Sequence, residues 1–418
     1  MENVEIKESR AYIDVEAVLM AIDKLGVRNL IWPIRNIYSD LLTAMVVARI
    51  LWPDSKFHLS HNWRLFSLSE ALHINNATEN DLYDAVDWFY EQRLEVVESR
   101  LINWHKESID SAVFYISQCP FIMDRYLETQ LGDQVEVKRS INYGVLVDGA
   151  GRPIHVYFFK GDKLNTKAIL SAIDGLQKQY RLPSFLLVTD ENILSQTQFK
   201  ILKQKVEAGA DISWVAALKM RDFKELVDSK ILSLSSLSET RLLRVEHTDF
   251  DNEKLVFWKN PKLAERWQED RRFLLKIATD ELNKIQRKVT KGLLNNDKKI
   301  IRLADQVINK YKMTRYISHK MDGDQFQYSV DQAKVDGDKA FDGLSMIRVF
   351  SNDALSVETV KRHYMRQQLS RESFQAIRIM DIEGFSDSPK QRQRIKTYLF
   401  ICLLANYVKW HMLEHGNH

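Results

Sequence analysis

The chain has 418 residues, 45% of them hydrophobic and 28% charged, enough for two or three domains with a buried core and too apolar for a disordered polymer. A formal net charge of +3 excludes a polycation, so any nucleic-acid surface must come from local clustering of Lys and Arg. Two cysteines, Cys119 and Cys402, exclude a disulfide framework and fit a reducing cytoplasm. The N-terminus is too charged for a signal peptide, and the longest apolar stretch, Tyr398–Val408, is too short to span a bilayer; no membrane association is expected.

Residues 1–108 read as helical. Ile37–Leu51 is apolar at helical spacing and stops at Trp52-Pro53, where proline cannot continue a helix. Thr78, with Glu79 and Asp81 behind it, starts a second helix that runs on to Trp104. The middle, 109–218, changes character. Ala112–Cys119, Tyr143–Val147 and Ile154–Phe159 are strand-like, and the last two flank the turn DGAGRP, a hairpin signal. A helix over Asn165–Tyr180, a buried strand Phe185–Val188 ending at Thr189-Asp190, another helix and a strand Ile212–Leu218 follow. Residues 219–345 interrupt this pattern with long charged helices over about 260–312 and a strand-like piece at Phe326–Val330. Helices over Val357–Glu383 and Arg392–Glu414 close the chain in a last block, 346–418. The class is α+β or α/β, a mixed sheet flanked by helices; the three-strand meander followed by helix, strand, helix, strand matches the order of the RNase H-like fold, part of which other α+β folds share.

Four segments carry a resemblance: NYGVLVDGAGRPIHVYFFKGD (from Asn142), LVTDENILS (from Leu187), AFDGLSMIRVFSNDALSVETVKRHY (ending at Tyr364) and RQRIKTYLFICLLANYVKWHML (from Arg392). In their order and spacing they resemble the DDE transposases of bacterial insertion sequences. That resemblance implies an RNase H-like core, a helical DNA-binding region over 1–108, an insertion over 219–345 before the last catalytic helix, and action as a homodimer on paired element ends. It also implies three carboxylates holding two Mg²⁺ or Mn²⁺ ions that clamp a phosphodiester in line. The family's last helix carries Tyr, two residues, Arg, three residues, Glu, six residues and Lys. Here that register falls on Tyr364, Gln367, Arg371 and Arg378.

A cation therefore stands where the third acid belongs. The first acid, which follows a Tyr, falls on Ile116; the second is kept as Asp190. Mg²⁺ demands oxygen ligands, which neither replacement supplies, and a unit charge at 4 Å in an effective dielectric near 20 changes the energy by ~4 kcal/mol. Glu372 adjoins the expected position, but one residue along a helix rotates the side chain by about 100°. The expected function is transposase-type DNA binding with a cleavage step weak or lost. Two alternatives stand beside it: an active metal-dependent enzyme using Asp190 with a displaced acid such as Glu372, and a non-enzymatic DNA- or protein-binding regulator.

Residues 361–396 hold nine Lys/Arg against four acids. Contact with the DNA backbone is expected here, from Tyr364, Arg366, Gln367, Arg371, Arg378, Lys390, Arg392 and Arg394. The other cationic stretch, 259–299, shows mixed signs at i,i+4 spacing and reads as a solvated helix face.

Overall fold

The computed structural model describes residues 13–52, 59–60, 67–105, 112–128, 134–161, 164–182, 184–190, 193–232, 241–244, 250, 252–351, 355–375 and 388–415, with backbone alone at 13, 120–128, 134–139, 241–244, 372–373, 375 and 415. They form two compact units, one of residues 218–348 and one of the rest.

The first unit opens with helices α1 (Ile13–Lys24), α2 (Val27–Ile31), α3 (Ile37–Leu51), α4 (Leu68–Ala71), α5 (Glu79–Gln92) and α6 (Leu94–His105). Reciprocal side-chain caps start two of them: Asn36 with Ser39 at α3, and Thr78 with Asp81 at α5. The single long helix expected after Thr78 is broken at Arg93, whose backbone leaves the helical region and whose guanidinium lies 4.6 Å over the Trp32 ring. No proline or glycine marks that break, so only the tertiary contact reveals it.

Strands β1 (Ala112–Glu128), β2 (Gln134–Val147), β3 (Pro153–Phe159), β4 (Phe185–Thr189) and β5 (Ile212–Ala217) form a mixed sheet in the order β3-β2-β1-β4-β5. β1 and β2 extend well beyond the runs that their side-chain pattern marked out. The expected hairpin turn is present, with Gly151 N–H donating to Asp148 O at 2.8 Å and Gly151 at φ +86, where a β-carbon would be strained. β1, β2 and β3 are antiparallel, whereas β1, β4 and β5 are parallel, joined by the crossover helices α7 (Thr166–Tyr180) and α8 (Gln196–Glu207). One face of the sheet packs Phe114, Ile116, Leu146, Leu187 and Trp214 against Ile169, Ile173, Phe199 and Leu202 of these helices. Because strand side chains alternate, Tyr115, Ser117 and Asp190 go to the other face. Two further helices of this unit, α13 (Val357–Gln375) and α14 (Pro389–His415), lie on that side; α14 buries its apolar run Tyr398–Leu404 against α3 and α5. No helix among the described residues is long and apolar enough to cross a membrane.

The second unit holds α9 (Met220–Asp228), β6 (Arg241–Arg244), β7 (Lys254–Lys259), α10 (Pro261–Thr290), α11 (Asp297–Lys310), β8 (Ile317–Asp322), β9 (Gln325–Val330), α12 (Gln332–Lys339) and most of β10 (Leu344–Phe350). Leu218, Phe223, Leu226, Phe250, Leu255, Phe257 and Met346 make one core. Beside it, Arg348 and Glu253 form a buried bidentate ion pair at 2.6 Å, with Phe250 beneath the guanidinium. A second core, from Ala278 and Leu282 to Phe326, joins the antiparallel pair α10/α11 to the β8-β9 hairpin.

Candidate functional site

Parallel pairing of β1 with β4 sets Ile116 opposite Thr189, so the next residues, Ser117 and Asp190, stand side by side at the carboxyl end of both strands. Ile116, expected at the first acid's place, is thus not the β1 side chain beside Asp190. Ile116 points into the core beneath α7 and α8, and Ser117 is the β1 side chain that faces Asp190.

Helix α13 crosses above this pair. Its register is fixed by Phe374, fully buried and stacked on Tyr143 at 4.7 Å. That anchor brings three side chains down on Asp190 and its neighbour. Arg371 Nη1 lies 3.1 Å from Asp190 Oδ2, and Gln368 Nε2 donates to Oδ1 at 2.7 Å. From the sheet, Ser117 Oγ donates to Oδ2 at 3.3 Å. Gln367, wholly buried, donates from Nε2 to Ser117 Oγ at 2.8 Å and accepts from Gln368 at 2.9 Å. Asp190 is 8% exposed, so its charge is compensated almost entirely by protein groups. Burial works to lower the Arg371 pKa, but the charge and hydrogen bonding of Asp190 outweigh it and hold the guanidinium above its ordinary value. It stays a cation at every physiological pH.

The described side chains around Asp190 do not fit a pair of divalent metals. The carboxylate drawn into the network already carries a guanidinium, and the other donors are a hydroxyl and two neutral amides. Among the described residues no three His, Cys, Asp or Glu side chains gather into a possible metal site. Glu372 lies on α13 next to Arg371, with its side chain outside the described residues.

The cations expected to meet DNA have diverse surroundings. Lys390 and Arg394 turn onto Asp87 of α5, at 3.2 Å and 2.7 Å, and Arg394 also lies 4.8 Å over the Tyr83 ring. Both thus pin α14 to α5, an intramolecular use that their spacing in the sequence did not indicate. Arg366 packs over Gly151 of the hairpin turn and approaches Glu414 at 4.0 Å. Tyr364 and Arg392 are half-buried, and Arg378 lies outside the described residues. Lys361 and Arg362, in the first turns of α13, are exposed. Ser117 and Gln368 belong to the network although the family register does not mark them. The alternation Tyr115, Ser117 was the available signal for the first; nothing in the sequence distinguished Gln368 from its neighbour.

No family model and no curated protein matches this chain. Among solved structures, a cryo-EM structure of the piggyBac transposase synaptic complex with hairpin DNA is similar at a TM-score of 0.24 and 11% identity, covering 91% of this chain and 75% of that one. A likeness of that size carries no argument about fold or chemistry.

Proposed function

We propose that this protein binds DNA as a member of the transposase lineage of bacterial insertion sequences, on an RNase H-like sheet, with its strand-cleavage step weak or lost. Support comes from the strand order β3-β2-β1-β4-β5 with its two helical crossovers, and from the helix α13 laid across the carboxyl end of β1 and β4. The observation that carries the reading is Arg371 at 3.1 Å from Asp190. On this reading Asp190 stands in the place of a catalytic acid and is closed by a built-in cation, which a magnesium ion would have to displace.

On this reading residues 219–345 are an insertion before the last helix, the N-terminal helices contribute to DNA binding, and the active assembly is a homodimer on paired ends. On the same reading the exposed Lys361 and Arg362, with Arg366, are the α13 cations that meet phosphates. Titration of a mixed-sequence duplex at rising KCl is the first test: retention should weaken steeply with salt, because bound phosphates release counterions. The second is incubation with supercoiled plasmid and short duplexes in Mg²⁺ or Mn²⁺, which should leave the strands intact. Nicking that disappears in Asp190→Ala would overturn the loss of cleavage. Binding indifferent to salt, or none, would overturn the DNA reading.

A further inference from the structure

Within the second unit the charges of the long helices are distributed unevenly. Residues 261–286 carry six Lys/Arg and five acids, a near balance. Residues 287–302, which span the end of α10, the turn and the start of α11, carry six Lys/Arg against the single acid Asp297. All six cations are exposed, and Arg287, Lys288, Lys291, Lys298 and Lys299 make no ion pair among the described residues.

Helix stability accounts for only half of this cluster. Cations at the end of α10 are favoured by its dipole, which explains Arg287, Lys288 and Lys291. Lys298 and Lys299 occupy the first turn of α11, where the same dipole disfavours positive charge. They oppose local stability, so an external anion is the natural counterpart.

The turn is rigid. Gly292 (φ +68) donates to Val289 O at 2.8 Å and Leu293 N–H donates to Lys288 O at 2.9 Å, the paired bonds that close a helix through a left-handed residue. Such a closure usually packs the residue after the glycine on an apolar side chain one turn back. Here that neighbour is Lys288, and Leu293 stays 72% exposed amid the cations. The α10/α11 pair below is held by its own core of Ala278, Leu282, Ile285, Ile300 and Ala304.

We infer that the α10–α11 tip is a nucleic-acid backbone contact, in which Lys288, Lys291, Lys298 and Lys299 meet phosphates. An array of exposed cations with few exposed apolar groups suits a phosphate backbone better than a lipid surface, where Leu293 and Ile301 bury too little to anchor. This inference rests on the reading of the chain as a DNA-binding protein, but not on how Asp190 is used.

The test uses the full chain and a mixed-sequence duplex, read by fluorescence polarisation across a range of KCl. Removing one phosphate-binding cation should flatten the plot of log affinity against log salt by about 0.9. Lys288→Gln, Lys291→Gln, Lys298→Gln and Lys299→Gln together should lower the slope by about 3.6, with the melting temperature unchanged or slightly raised. Lys361→Gln with Arg362→Gln should lower it independently. A tip variant with the wild-type slope, beside a weakened Lys361/Arg362 variant, sinks the tip alone. A weakened tip variant beside an unaffected Lys361/Arg362 variant upholds the tip and removes the α13 interaction. Wild-type protein that ignores the duplex, whether or not it sediments with phosphatidylserine vesicles, sinks both.

Discussion

Asp190 accepts from three donors, and only Arg371 among them carries a charge. Its removal would leave a buried carboxylate on two neutral donors, so Arg371→Ala should destabilise the fold by about 2 kcal/mol. Asp190→Asn keeps the shape and deletes the charge. Chemical denaturation of the two single variants and the double should therefore show a coupling of about 1–2 kcal/mol, with the double variant losing less than the sum. Strict additivity would mean that the pair is a bystander. Arg371→Glu sets two carboxylates together and should be the least stable of the series, without gaining nicking activity, since Ser117 supplies no third anionic ligand.

At the scale of elements, α13 and α14 are held by different means. Phe374 keys α13 to Tyr143 by ring stacking, and Lys390 and Arg394 key α14 to α5 through Asp87. Burial, the largest influence on Asp87, works to raise its pKa, but Arg394 and Lys390 outweigh it and hold the carboxyl below its ordinary value. A depressed acid stabilises the fold above the unfolded pKa, near 4, and that contribution drains away as pH falls through the folded value. Asp87→Asn should therefore lower the melting temperature at pH 7 and make it less sensitive to acid below about pH 4. Equal acid sensitivity in variant and wild type would show that the clamp does not couple to folding. The expected caps at Thr78 and the expected turn at Gly151 are present because each depends on a few neighbouring residues. The break at Arg93, whose guanidinium meets Trp32 from a distant part of the chain, left no mark in the sequence around it.

Across the molecule, three histidines of the first unit are held neutral. Burial pushes His105, His155 and His363 each down to about 4; Arg152 adds to the effect at His105, where Asp148 opposes it, Lys396 adds to it at His155, and Arg366 and Arg362 at His363. With folded values below the unfolded 6.5, their contribution is complete above that pH and lost as pH falls toward 4, because the unfolded chain then binds more protons. A tenfold change in proton affinity corresponds to about 1.4 kcal/mol, so the half-buried His155 should make thermal stability decline steadily from neutral pH to about pH 4.5. His155→Leu should decline less steeply; an identical slope would exclude that histidine as a source.

Short-range chemistry made part of this protein readable from the chain alone: the helices with their caps, the hairpin turn, the apolar strands, and the acid Asp190 followed by an arginine-bearing helix. Periodicity and capping act within a few residues and need no partner. Packing decided the rest. Ser117 rather than Ile116 meets Asp190 because parallel pairing fixed the register, and a shift of one residue exchanges the faces of a strand. Lys390 and Arg394 read as free cations until Asp87, on a helix far earlier in the chain, folded against them. Charge declares itself in a sequence; the counter-charge that answers it is chosen only when the chain is packed.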